Sequence, residues 1–163
     1  MDRPLIAERM GRIAPFHVMD LLARARKLES EGRSIIHMEI GEPDFDTPAP
    51  VVAAGQQALA EGETHYTPAL GLPALRQLIA GFYRERYGAP IEADRVAVTP
   101  GSSGALQLAL SVLINPGESV LMADPGYPCN RHFVELVEGK PIAVPVGPES
   151  GYQLTPELVE SAW

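Results

Sequence analysis

V-T-P-G-S-S-G-A-L-Q, residues Val98–Gln107, changes character twice within one short stretch. It begins in an apolar run, Val96–Thr99, whose β-branched residues favour a strand. Pro100 halts that run, and Gly101, Ser102, Ser103 and Gly104 follow as a small-residue turn. Ala105–Ile114 is then almost wholly apolar and long enough for a helix. A strand that turns tightly into a helix makes an anion site, because unpaired amide N–H groups and the positive end of the helix dipole converge there. Glycines let the backbone approach a ligand closely, and serine hydroxyls add donors. The ligand that suits these features is a phosphate. The turn is neither G-x-G-x-x-G nor the P-loop, which has a Lys after its last glycine, and a Ser-Gly turn that only caps a helix has the same letters.

The sequence downstream repeats the alternation. Asn115-Pro116-Gly117 turns into a strand, Ser119–Ala123, and D-P-G-Y-P (Asp124–Pro128) makes a loop at that strand's carboxyl end. A helix over Asn130–Val137, stopped by Gly139, precedes a strand over Pro141–Val146. After the turn Gly147–Gly151, Thr155-Pro156-Glu157 opens a last helix. Strand, helix, strand, helix, strand from residue 95 onward predicts an α/β fold: a parallel sheet covered by helices, its strands apolar enough to be buried on both faces. In such sheets ligands sit at the carboxyl ends of strands, so the loops Pro100–Gly104 and Asp124–Pro128 can face one ligand.

Upstream, residues 1–16 have no period and read as an arm. Val18, Leu21, Leu22, Ala25 and Leu28 recur at helical spacing up to Gly32, and Ile35–Ile40 reads as a short strand. Gly41–Pro50 (G-E-P-D-F-D-T-P-A-P) is a loop, Val51–Ala60 a helix ended by Gly62, and Thr64–Gly71 (T-H-Y-T-P-A-L-G) another loop. Leu72, Leu75, Ile79, Phe82 and Tyr83 then mark one helical face, with Pro73 near its start and Gly88 just past its end.

Composition narrows the function classes. The 163 residues are 45% hydrophobic and 21% charged, with 15 glycines and 16 prolines, which is globular and below the roughly 25–30% Gly and Pro of disordered chains. The net charge of −8 argues against nucleic acid, which needs clustered Lys and Arg; the one basic cluster, Arg24–Lys27, sits beside Glu29 and Glu31. Cys129 is the lone cysteine, so no internal disulfide forms, as in a reducing compartment. No apolar run reaches the ~18 residues of a membrane helix, and M-D-R-P-L-I-A-E-R-M lacks a signal-peptide core. These features together predict a soluble cytoplasmic protein without a membrane partner.

Single candidates stay ambiguous. Tyr127 either packs on its own loop or lays its ring on a planar heteroaromatic ligand whose phosphate lies in the Gly101–Gly104 turn. Tyr66 is a loop aromatic, and Gly41 opens a turn able to offer a backbone N–H to a carboxylate. His17, His37, His65 and His132 lack metal-ligand spacing, so no metal site is expected. Asp44 and Asp46 sit in a Pro-rich turn where Asp is ordinary, and Ser102 and Ser103 are outside G-x-S-x-G.

In order along the chain, I-G-E-P-D-F-D-T-P, H-Y-T-P-A-L-G-L-P-A-L-R, V-T-P-G-S-S-G-A-L and D-P-G-Y-P-C-N-R-H-F resemble the N-terminal part of the class I/II aminotransferases. These are fold type I enzymes of the aspartate aminotransferase superfamily that use pyridoxal 5′-phosphate (PLP). The resemblance runs from about Ile13 to the end. It implies that Gly41 helps hold the substrate carboxylate by its backbone. Tyr66 would reach across a homodimer interface to the neighbouring subunit's cofactor phosphate. Gly101, Ser102 and Ser103 would bind the phosphate, and Tyr127 would stack on the pyridine. Ser103 stands where many members carry Lys. The resemblance further implies a small-domain part, 1–47 (arm, helix and substrate-side loop), and the first part of the PLP-binding large domain, 48–163. In that large domain the first strand and the other two lie on opposite sides of a seven-stranded sheet.

Transamination also needs a lysine that forms a Schiff base with PLP, a partner for the pyridinium nitrogen and an arginine for the substrate. The resemblance places all three past Trp163, so no catalytic residue is expected in this segment. The only lysines, Lys27 and Lys140, read as solvated surface residues. The expected function is therefore that of the N-terminal part of an amino-acid aminotransferase, acting on an amino acid and a 2-oxo acid in amino acid metabolism and inactive as it stands. A PLP-dependent carbon–sulfur lyase of the same fold and a non-catalytic remnant are the alternatives.

Overall fold

The computed structural model describes residues 5–163, so the arm expected over 1–16 lies partly outside the described residues. Among the described residues eight helices and strands follow in order: α1 (His17–Ser30), α2 (Ala49–Ala60), α3 (Pro73–Tyr87), α4 (Gly101–Leu113), β1 (Ser119–Asp124), α5 (Asn130–Leu136), β2 (Lys140–Pro145) and α6 (Pro156–Ala162). Short 3-10 turns occupy Glu8–Gly11, Ala93–Arg95 and Pro148–Ser150. The chain divides into two units, one of residues 1–40 and 102–163, the other of residues 41–101. Among the described residues no helix is long and apolar enough to cross a membrane.

The first unit is built on β1 and β2, which pair in parallel in a register running from Ser119↔Lys140 to Asp124↔Pro145. Parallel pairing requires a crossover, and α5 supplies it. Val134 on α5 is fully buried, and Val144 and Val146 are nearly so; together they form this unit's core. α5 packs on β2 and on the Glu8–Gly11 turn, and α6 also packs on β2. α6 starts where Thr155 accepts a hydrogen bond from the Leu158 amide at 3.3 Å, the N-cap that Thr-Pro-Glu predicts.

The second unit is helical. α2 and α3 each carry Pro in their first turn, where a missing N–H costs nothing. α3 ends at Gly88, in the left-handed region with φ 63°, and Gly88 N–H and Ala89 N–H close on Arg84 O and Tyr83 O. Ala80 is buried, and Phe82, Tyr83 and Tyr87 cluster with ring centroids 5.5–6.0 Å apart.

Two expected strands do not form. Residues 35–40 and 96–99 are irregular. A strand exists only by pairing, and among the described residues neither segment has a strand beside it. Residues 96–99 are held by other means within their unit: Val98 N–H donates to Leu70 O at 3.0 Å, and Arg76 Nε donates to Val96 O at 2.8 Å. The expectation of strands buried on both faces is met only in part. β1 is half-buried along its middle, whereas Ile142 and Ala143 of β2 are exposed, because a two-stranded sheet leaves each strand a single neighbour.

Candidate functional site

Among the described residues, the turn into α4 leaves hydrogen-bond donors without partners at a helix N-terminus. Gly101 takes φ +71°, a left-handed conformation that costs a residue with a β-carbon about 1–2 kcal/mol. Its N–H donates to Thr99 O at 2.8 Å, and the Thr99 hydroxyl donates to Gly101 O at 2.9 Å. This knot swings the chain from the extended residues 96–99 into the helix. Among the described residues, the Ser102 and Ser103 amides and hydroxyls meet no hydrogen-bond partner, and both residues are exposed. The first turn of α4 also holds no acidic side chain, so nothing on the helix neutralises its positive end. Four donors at a positive dipole end are thus without a partner among the described residues.

Tyr127 lies in the loop that follows β1, at the strand's carboxyl end, with 62% of its surface exposed. Phe16, the residue before α1, meets it: the ring centroids are 6.4 Å apart and the planes tilted by 50°. Beneath the loop lies a cavity of about 490 Å³, lined among others by Met122, Ala123, Gly126, Tyr127, Asn130 and Arg131. A β-carbon at Gly126 would fall 2.5 Å from Ala123 O, so the loop folds this closely over the strand end only with glycine there. Ser102, Ser103 and Tyr127 belong to the first unit.

Gly41, Tyr66 and Gly101 fall in the second. Gly41 has open space where a β-carbon would point and no left-handed φ, so what distinguishes it is access to its backbone. Among the described residues the Tyr66 ring is fully exposed, beside a cavity of about 430 Å³ that it lines with Thr64 and His65. Lys27, in the last turn of α1, and Lys140, at the start of β2, are both exposed, as read from the sequence.

Two further residues carry no local signal in the sequence. Phe16 stands outside the helical period, and only folding sets its ring beside Tyr127. His37 is hydrogen-bonded by two glutamates, one of them eight positions away.

Known proteins share this fold. Residues 33–163 match the family model of aminotransferase class I and II. The (5-formylfuran-3-yl)methyl phosphate transaminase of Methanocaldococcus jannaschii is 46% identical over 85% of this chain and 37% of its own length. A valine–pyruvate aminotransferase of Mycobacterium tuberculosis is 37% identical over 94% of this chain and 39% of its own. Among solved structures, the aspartate aminotransferase of Thermus thermophilus with maleate superposes at a TM-score of 0.92 with 30% identity, covering 99% of this chain and 42% of that one. The chain thus spans about 40% of the length of these relatives. A family match over most of its residues and a fold shared from end to end leave one assignment: the chain belongs to the class I and II aminotransferases.

Proposed function

We propose that this chain is the N-terminal part of a PLP-dependent aminotransferase that moves an amino group between an amino acid and a 2-oxo acid, and that it binds part of the cofactor. The turn into α4 is the observation that carries the proposal: a left-handed glycine followed by two serines whose amides and hydroxyls are unpartnered at an uncompensated helix N-terminus. Those groups fit the phosphate of PLP. Tyr127, exposed at the end of β1, offers a ring face for the pyridine, and Gly41 offers its backbone to the substrate carboxylate. Tyr66, whose ring is exposed, would serve a neighbouring subunit of a homodimer. The same reading divides the chain at 47/48 between small-domain and large-domain parts and locates the enzyme in the cytoplasm.

Bound PLP supplies the electrophilic carbonyl and the electron sink of the reaction. The residues present supply only holding power: donors for a dianion, a flat apolar contact and an open backbone amide. With Lys27 on a solvated helix face and Lys140 in a sheet strand, this chain by itself is expected to show no transaminase turnover.

The test is cofactor retention in a full-length enzyme carrying these residues. Ser103→Ala and Tyr66→Phe each remove one hydrogen bond to a charged acceptor, worth roughly 1.5–3 kcal/mol, so PLP affinity falls about ten- to a hundredfold. Equilibrium dialysis followed by cofactor fluorescence reads the loss. Unchanged affinity in both variants refutes the assignment.

A further inference from the structure

We propose that His37 is a pH-gated clasp, held between Glu29 of α1 and Glu39 of its own segment, that ties residues 35–40 to the end of α1. Nδ1 lies 2.6 Å from Glu39 Oε1 and Nε2 lies 2.9 Å from Glu29 Oε1. Ionised carboxylates only accept hydrogen bonds, so both ring nitrogens must donate. Only the imidazolium has two N–H groups. A neutral ring turns a lone pair towards one carboxylate, and that contact changes from attraction to repulsion.

The segment depends on this contact. Backbone hydrogen bonds close α1 through Gly32 N–H to Glu29 O and Arg33 N–H to Leu28 O. From residue 34 to residue 40 none is made among the described residues. The expected strand has no partner, and the clasp takes the place of one.

The two arms differ. Glu39 is fixed from a second side, since its Oε2 accepts from the Met38 amide at 2.9 Å, and its side chain is only 12% exposed. Glu29 is 41% exposed and free to rotate into water. The arm to α1 therefore lets go first.

Glu29 from α1 and Glu39 from the same segment are the charged groups that face His37, and among the described residues no Lys or Arg lies within 4.0 Å of either carboxylate. The hydrogen bond to Glu39, and then that to Glu29, raise the imidazole above the usual histidine range; His37 in turn lowers Glu39 below the usual carboxylate range. The sign follows directly. A raised histidine pKa makes the clasp complete below the unfolded value and loses it as pH rises through the folded value. At the acid end the Glu39 arm is lost as Glu39 protonates, so the clasp is closed only while both of its carboxylates are ionised and its ring is charged.

The test uses the intact chain at high dilution. Deuterium exchange at each histidine Cε1–H, read by mass spectrometry across about pH 5–9, gives the protonation midpoint of each ring. A short histidine peptide measured alongside is the reference. His37 is expected to hold its proton several-fold more tightly than the peptide histidine. Amide exchange over residues 35–40, corrected for its intrinsic pH dependence, is expected to accelerate several-fold through that same midpoint. Glu29→Ala should bring the His37 midpoint down towards that of the peptide and flatten the step, with α5 still protected. If His37 titrates together with the peptide histidine, or exchange over 35–40 shows no step at its midpoint, the clasp does not exist. Both readouts come from the unsubstituted chain, so they decide even if Glu29→Ala disturbs α1.

Discussion

Residues 96–113 and residues 119–146 read alike as sequence, and they fold to different extents. Each offers a short apolar run, a turn containing Pro and Gly at its end, and a helix. In the second stretch the run becomes β1, pairs with β2 through six registered positions, and is roofed by α5 with Val134 fully buried. In the first, residues 96–99 pair with no strand, and α4 leaves Val112 75% and Leu113 72% exposed. Periodicity and turn chemistry specify which face of an element is apolar. They do not supply the surface that covers it. Hydrophobic stabilisation, about 25 cal/mol per Å² buried, appears only where a partner takes that area from water.

The largest expected effect tests that contrast with one substitution made in each stretch. Val134→Asp puts an unpaired carboxylate in the core of the first unit, which costs about 3–5 kcal/mol, enough to abolish ordered pairing of β1 and β2. Val112→Asp puts the same carboxylate on an exposed helix face, and β1 and β2 stay protected. The uncovered face should also make the unsubstituted chain self-associate, and Val112→Asp should lessen it. Amide hydrogen exchange and sedimentation velocity read the two outcomes. Equal loss of β1 protection in both variants would erase the distinction between the stretches.

The same contrast explains what could be read from the letters. α4 is the exception among the helices: it begins at Gly101 and takes in Ser102–Gly104, read as a turn, before the expected start at Ala105. The other helices were legible to within a residue or two, because Pro at their starts, Gly past their ends and the 3.6-residue period are local signals. So was the turn at Gly101, whose φ is set by the residue itself. The strands over 35–40 and 96–99 were not, since pairing is a property of two segments. Phe16 beside Tyr127 and the His37 clasp were hidden for the same reason: both join residues with no shared period.

A smaller effect concerns how residues 96–99 are held without a strand. Gly71, at φ +95°, brings its backbone against Val98, and a β-carbon there would lie 2.6 Å from Val98 Cγ2. Gly71→Ala meets both a left-handed penalty of about 1–2 kcal/mol and this clash. The hydrogen bond from Val98 N–H to Leu70 O should open, and the Val98 amide should exchange faster in that variant than the Val144 amide. Unchanged Val98 protection would mean that the segment is ordered by something other than this contact.

The smallest effect isolates the turn itself. Nothing lies within 4 Å of a β-carbon built on Gly101, so Gly101→Ala pays only for its φ of +71°, about 1–2 kcal/mol, with no packing lost. That cost falls on the knot between Thr99 and Gly101, whose two hydrogen bonds set the entry into α4. The alanine variant should therefore fray the first turn of α4 while leaving protection at Leu110 and beyond untouched. In a full-length enzyme carrying these residues it should also weaken cofactor retention, by misaiming the Ser102 and Ser103 amides rather than by removing a donor. Ser103→Ala deletes a hydroxyl and leaves the turn in place, so the two variants separate aim from number. A Gly101→Ala enzyme with frayed α4 amides and full cofactor affinity would show that the hydroxyls alone hold the phosphate.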